Sequence, residues 1–399
     1  MIMRPEKVTI PVALQIVADD YGWHNGRDER HIGRPSRSGL PRNHAVEDYV
    51  ILNELGKALN MKILTPFVIG EWDKNNLLRG VKGATYNEKN WDRASEIDMK
   101  TAQKCFGAAE SSEYVEYAYH ALLHGYYKDD KQICETEYSR PRFDPQTGKF
   151  DMNTFDYISE NEMQEYIDLF FQIYDSWGFR KKIRAFVAPC SIHTPRELTD
   201  DFASVLRKNG FIHWANYWTR LKDSTAVISG VTFLQKGFLG AHWEQYDIEP
   251  ITMLDQSKTL VDGREYTNPA MGFHWTNFLR LDPQRNMERL DDWIKYFNRQ
   301  AEIFGNMLSR DVGFASNQAV YSRYAKLKVN GNQYTIDLSD VDDMRALSLL
   351  DHFYVSVRGG IKPDSCVGGD VRMYEKKKWH TNYEIKRNQH SKTISFEIL

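Results

Sequence analysis

Unbroken apolar runs and stretches with helical spacing follow one another through most of this chain. Val12 to Ala18 is a nearly continuous apolar run that ends on two adjacent carboxylates, Asp19 and Asp20. Such a run predicts a strand buried on both faces of a parallel sheet, and the residues just past its end fall on the rim where such folds keep their chemistry. From Ala45 to Asn60 the residues Val46, Tyr49, Val50, Leu52, Leu55 and Leu59 recur at helical spacing, and Lys62 to Ile69 is a second apolar run. Strand, helix, strand is a βαβ unit whose crossover implies parallel pairing. Ser159 to Gly178 predicts a well-delimited helix: Ser159 and Glu162 form a capping box, Met163, Tyr166, Ile167, Phe170, Phe171 and Tyr174 make the apolar face, and Gly178 closes it. Further strands are expected at Ile183 to Ala188, Phe211 to Trp214 and Met271 to Phe278, with helices at Leu198 to Asn209 and Met287 to Phe304. From about Gly313 the texture turns all-β, with Asn330-Gly331 marking a hairpin between Ala325–Val329 and Gln333–Asp337, and more strand pattern at Phe353–Val357 and Lys392–Ile398. Tyr21 to Asn43 reads as a long polar loop over the rim, and Thr219 to Thr267 gives strand-like pieces with no clear order.

Composition narrows the classes. At 399 residues the chain exceeds what one core usually serves, so a large domain with an accessory domain is expected. A formal charge of −3 leaves no electrostatic footprint for nucleic acid or an anionic membrane surface, and both are set aside as partners. Cys105, Cys134, Cys190 and Cys366 are scattered without a CxxC pair, which signals neither a thiolate zinc site nor a disulfide framework. The opening residues lack the apolar core of a secretory leader and no segment reaches the roughly 20 apolar residues of a membrane span, so a cytoplasmic protein is expected. Ten Trp and 22 Tyr are a generous supply; aromatics at this level often just fill a core, while a surplus near a cleft suits flat amphipathic ligands such as sugars.

The candidate chemistry starts at the paired acids. Asp19 and Asp20 repel each other unless a cation lies between them, a basic partner approaches or one holds a proton; alternatively Asp20 simply starts a turn with Tyr21-Gly22. His120 and His124 are four apart, a spacing that places both imidazoles on one side of a helix or a tight helical turn. Two imidazoles with the Asp20 carboxylate make a ligand set for zinc, iron or cobalt, and Asp19 is then free to act on a water.

In their order along the chain these features resemble the polysaccharide deacetylases, the NodB-homology group of carbohydrate esterases. Asp19-Asp20 at the first strand's end, His120-x-x-x-His124, the strand end Phe186-Val187-Ala188-Pro189 and the late His274 carry the likeness, with helices in matching places, over roughly Val8 to Phe304. The resemblance implies an α/β fold: a distorted (β/α) barrel of about seven strands over residues 1–312, with a β-sandwich-like accessory domain at 313–399 outside it. It implies Asp20, His120 and His124 as ligands of a divalent metal, zinc first, with cobalt, iron, nickel and manganese open. Asp19 would be the general base and His274 the acid that protonates the leaving amine. Three departures stand out: Tyr21 separates the acids from Gly22, Val187 stands where the family carries Arg, and Trp275 stands where it carries Asp. Arg184 is the candidate to supply the missing charge. Trp23, His24, Pro189, Trp275 and Asn277 are the candidates to touch substrate, while His193 and His242 are further loop histidines near the predicted rims. The implied activity is metal-dependent deacetylation of an N-acetylated sugar, a polysaccharide or a small amide. Hydrolysis of cyclic amides or ureides on the same fold, non-catalytic carbohydrate binding, and homo-oligomerisation all stay open.

Overall fold

The computed structural model describes residues 7–22, 24–26, 36, 38–190, 196–216, 225–238, 245–250, 268–304, 307–359, 362–389 and 391–398. Seven strands form a closed barrel: β1 (Ala13–Asp19), β2 (Ile63–Val68), β3 (Val115–Ala121), β4 (Ala185–Val187), β5 (His213–Asn216), β6 (Val231–Phe238) and β7 (Ala270–His274). Each pairs in parallel with its neighbours in chain order, β5 joins β6, and β7 returns to β1 in the register His274 opposite Asp19. The expected (β/α) barrel is therefore present, and its strands' C-terminal ends define one rim.

Helices flank the barrel. α1 (Val46–Leu59) ends on Asn60 in the left-handed conformation, and α2 (Met99–Ser111) is capped by Asp98. α3 (Glu160–Trp177) carries the Ser159–Glu162 capping box and stops at Gly178 with φ +81°. α4 (Arg196–Lys208) and α5 (Leu290–Phe304) are further helices among the described residues. The outer layer between barrel and helices holds the large aromatics, while the inside is lined by small and branched residues, Val17, Leu64, Ala118, Ala185, Val187, Ala215, Leu234 and Ala270, with at least one from every strand. Strand side chains alternate faces, so positions two residues further along the same inner face lie one layer nearer the rim. Asp19, His120, Lys236 and Pro189 are among those positions.

The all-β texture expected from Gly313 begins later. α6 (Val312–Tyr324) comes first, buried without a break from Phe314 to Tyr321, and it belongs to two cores at once. Its Val312, Ala315 and Ala319 join the inner lining of the barrel, while Val320 and Tyr321 join the core of the C-terminal sheets. A helix covered on every side has no polar face for periodicity to reveal. It closes the end opposite the rim: Glu116 at the start of β3 accepts the Val312 N–H at 2.6 Å, and Gln318 Nε2 donates to the Pro11 carbonyl at 2.7 Å.

Two four-stranded antiparallel sheets follow. One joins β8 (Lys326–Asn330), β9 (Gln333–Asp337), β11 (Pro363–Val367) and β14 (Thr393–Ile398); the other joins β10 (His352–Arg358), β12 (Gly369–Lys376) and β13 (His380–Arg387) to the N-terminal strand Val8–Thr9. Both sheets feed one apolar core that includes Ile336, Phe353, Val355, Ile385 and Phe396. The Asn330-Gly331 hairpin turn forms as its sequence predicts, but Val8 leads into a C-terminal sheet instead of the barrel. Among the described residues no helix is long and apolar enough to cross a membrane.

Candidate metal centre

Asp20 is the first residue past β1 and takes φ +63°, a left-handed conformation that an Asp tolerates better than most residues. Gly22 follows at φ +87°, where a Cβ would lie 2.5 Å from the Phe67 ring, so the turn that carries the acids demands glycine there. His120 is the penultimate residue of β3. His124 comes after the strand, at φ +53°. The four-residue spacing thus works without a helix: a strand end and a left-handed turn bring the imidazoles together, with ring centroids 4.8 Å apart. Two of three site residues in sparsely populated backbone conformations fit the tendency of such strain to gather at functional sites.

Asp20 Oδ1 lies 3.4 Å from His120 Nε2 and 3.4 Å from His124 Nε2, and all three residues are buried. These are the only three described His, Cys, Asp or Glu residues whose ligand atoms gather within 4.8 Å as a group of this kind. Two ligands on a tetrahedral zinc at about 2.0–2.1 Å stand about 3.3–3.4 Å apart, so the spacing suits a small divalent cation. The donor set agrees. His120 Nδ1 lies 2.5 Å from the Val187 carbonyl oxygen, an arrangement in which Nδ1–H donates and the Nε2 lone pair is left facing the cluster. That buried Nε2 has no hydrogen-bond partner among the described residues, as a metal ligand should not.

The turn bearing His124 is tied down by Glu137. Its carboxylate accepts the Leu122 N–H at 2.6 Å and the His124 N–H at 3.0 Å. Burial pushes the Glu137 pKa up to about 7, opposed by those backbone N–H groups.

Asp19 has a different partner. Its Oδ2 is in an ion pair with Lys236 Nζ from β6, with both residues buried, while its buried Oδ1 has no hydrogen-bond partner among the described residues. His274 ends β7 directly opposite Asp19, and its backbone N–H donates to Asn277 Oδ1 at 2.8 Å. Asn277 in turn donates to the Gln245 carbonyl, so it braces the strand end that carries His274. Pro189 is buried just past β4, two residues beyond the carbonyl that holds His120.

Arg184 is exposed and precedes β4, at the rim opposite Asp19; the charge beside that acid comes from Lys236. Trp275 has 0% exposure, packs on Tyr21, Tyr49 and His44, and donates its indole N–H to the Asp48 carbonyl, so core packing replaces the expected sugar contact. His24 is buried beside Trp72, and burial, helped by Arg93, lowers its pKa to about 4, so it is neutral at pH 7. Trp23, His193 and His242 lie outside the described residues.

Lys236 and Glu137 were not anticipated from sequence. The first left a signal, a lone lysine inside the apolar run Val231 to Phe238, in the region whose order could not be assigned. Glu137 left none, being one of two glutamates in an unremarkable loop.

Comparisons with known proteins add outline more than detail. No protein-family profile matches the chain, and no curated protein matches it. Among solved structures it is similar to a putative glycoside hydrolase/deacetylase from Parabacteroides distasonis, at 9% identity and a TM-score of 0.41, covering 88% of this chain and 83% of that one. A family 4 carbohydrate esterase from Streptomyces lividans in complex with acetate matches at 10% identity and a TM-score of 0.29, over 75% and 92%. A family 4 pseudoenzyme from Bacillus anthracis matches at 10% and 0.37, over 77% and 66%. At such identities and scores the function rests on the chain's own geometry.

Proposed function

We propose that this chain is a metal-dependent hydrolase of a carbon–nitrogen bond, removing the acetyl group from an N-acetylated sugar or polysaccharide. The observation that carries this is the buried convergence of Asp20, His120 and His124 at the spacing of one small cation's ligands. A divalent ion bound there, zinc by its ligand set, supplies Lewis acidity toward an amide carbonyl and makes a water more acidic. Asp19, with one oxygen not engaged by Lys236, takes the proton of the attacking water as its oxygen bonds to the carbonyl carbon. His274, its register partner at the end of β7, gives a proton to nitrogen as the C–N bond breaks. The sugar substrate follows from the sequence resemblance.

Metal analysis of purified protein and of Asp20→Ala tests the centre. About one equivalent of zinc in the parent is expected, and in the variant a loss of affinity larger than the roughly ten- to hundredfold that removal of an outer partner costs; equal content in both removes the ligand assignment. Acetate release from N-acetylated oligosaccharides should fall by about a hundredfold or more in Asp19→Asn. Sugar binding with no product from the zinc-loaded parent would replace hydrolysis with carbohydrate binding.

A further inference from the structure

Two neighbouring carboxylates beside one cation site pose a question of division of labour. Either could bind the ion, and if both did, their two negative charges would offset a divalent cation and blunt its pull on a carbonyl. The backbone separates them only in part: Asp19 ends β1 on the barrel's inner face, and Asp20 turns away in the left-handed conformation toward His120 and His124. Asp19 also has Lys236 beside it. Its ammonium reaches from the inner face of β6 to Asp19 Oδ2, and both residues are almost wholly removed from solvent, at 2% and 4% exposure. A buried ion pair is weak evidence of stability, since desolvation offsets most of the attraction, but it fixes where a charged group sits.

We propose that Lys236 is a positioning residue that assigns the two aspartates their separate tasks, by holding Asp19 out of the cation's coordination shell. Asp20 is then the single carboxylate ligand, and Asp19 keeps one oxygen for proton transfer. The inference rests on the metal centre proposed above and goes beyond it by naming the residue that keeps Asp19 from joining Asp20 as a ligand. The geometry supports the division: Asp20 Oδ1 faces both imidazoles, while Asp19 Oδ2 faces the Lys236 ammonium.

Cobalt(II) is the probe, since its visible absorption weakens and shifts as ligands are added, and calorimetry gives its affinity. The full-length protein, Lys236→Met, Asp19→Asn and the Lys236→Met/Asp19→Asn double variant are compared. In Lys236→Met, Asp19 is released onto the metal: the bands should weaken and shift, and cobalt should bind about ten- to a hundredfold more tightly. The double variant should return to the parent spectrum. Asp19→Asn alone should match the parent, because Asp19 is no ligand while Lys236 holds it; this arm decides the matter if Lys236→Met does not fold. Parent-like spectrum and affinity in folded Lys236→Met, a change that the second substitution fails to reverse, or an altered spectrum in Asp19→Asn each overturn the inference while leaving the metal centre standing. Absence of stoichiometric cobalt binding by the parent overturns the centre, and this inference with it.

Discussion

Replacing Glu116 with Gln should make the protein more stable at alkaline pH and leave it unchanged in mild acid. Glu116 sits at the start of β3, at the closed end of the barrel, where its Oε1 accepts the first N–H of α6 from Val312 at 2.6 Å. Burial, with the like charge of Asp311 nearby, raises its pKa from the ordinary 4.5 to about 8, against the pull of that N–H and of Lys62. An acid whose folded pKa is raised binds its proton more tightly when folded, so its contribution is fully present below about pH 4.5 and is lost as pH rises through about 8. A displacement of that size sets a ceiling of about 5 kcal/mol. Glu116 is only half-buried, and water screens the charge, so about 1–2 kcal/mol is the expected loss in practice. Glutamine keeps an oxygen for the Val312 N–H and never ionises. Urea unfolding followed by tryptophan fluorescence at about pH 5, pH 7 and pH 9 should therefore give coincident curves for parent and Glu116→Gln in acid, with the variant ahead by that margin at the alkaline end. Parallel pH profiles, or a variant weaker at every pH, would refute the assignment of a costly buried charge.

Two further outcomes follow from the packing around the site and beneath it. Glu137→Ala removes the acceptor of the Leu122 and His124 N–H groups, and zinc affinity measured by calorimetry should fall about ten- to a hundredfold, with His120 and Asp20 untouched; an affinity within about twofold of the parent would show that the turn holds itself. Ala319→Leu adds bulk where α6 meets the barrel's inner lining and should cost about 1–3 kcal/mol in urea unfolding. An unchanged midpoint would mean that this end of the barrel is less tightly filled than its side chains indicate.

What the sequence determined by itself was what depends on near neighbours. The strand ending at Asp19, the capping box and Gly178 stop of α3, and the Asn330-Gly331 hairpin all formed as read, because alternation, caps and turns are settled within a few residues. The pair Asp19-Asp20 posed its electrostatic question in sequence, where a metal, a basic partner and a shared proton were equal answers. Only the tertiary structure distributed two of them, giving Asp20 to the histidines and Asp19 to Lys236, a residue 217 positions away whose approach depends on the barrel closing. The same holds for His124, which reaches the centre through a left-handed turn pinned by Glu137, and for α6, whose burial between two cores erased the periodicity that would have announced it. Local pattern fixes elements through short-range sterics and hydrogen bonds, while charge pairing and burial on all sides are properties of distant segments brought together, which no window of neighbouring residues contains.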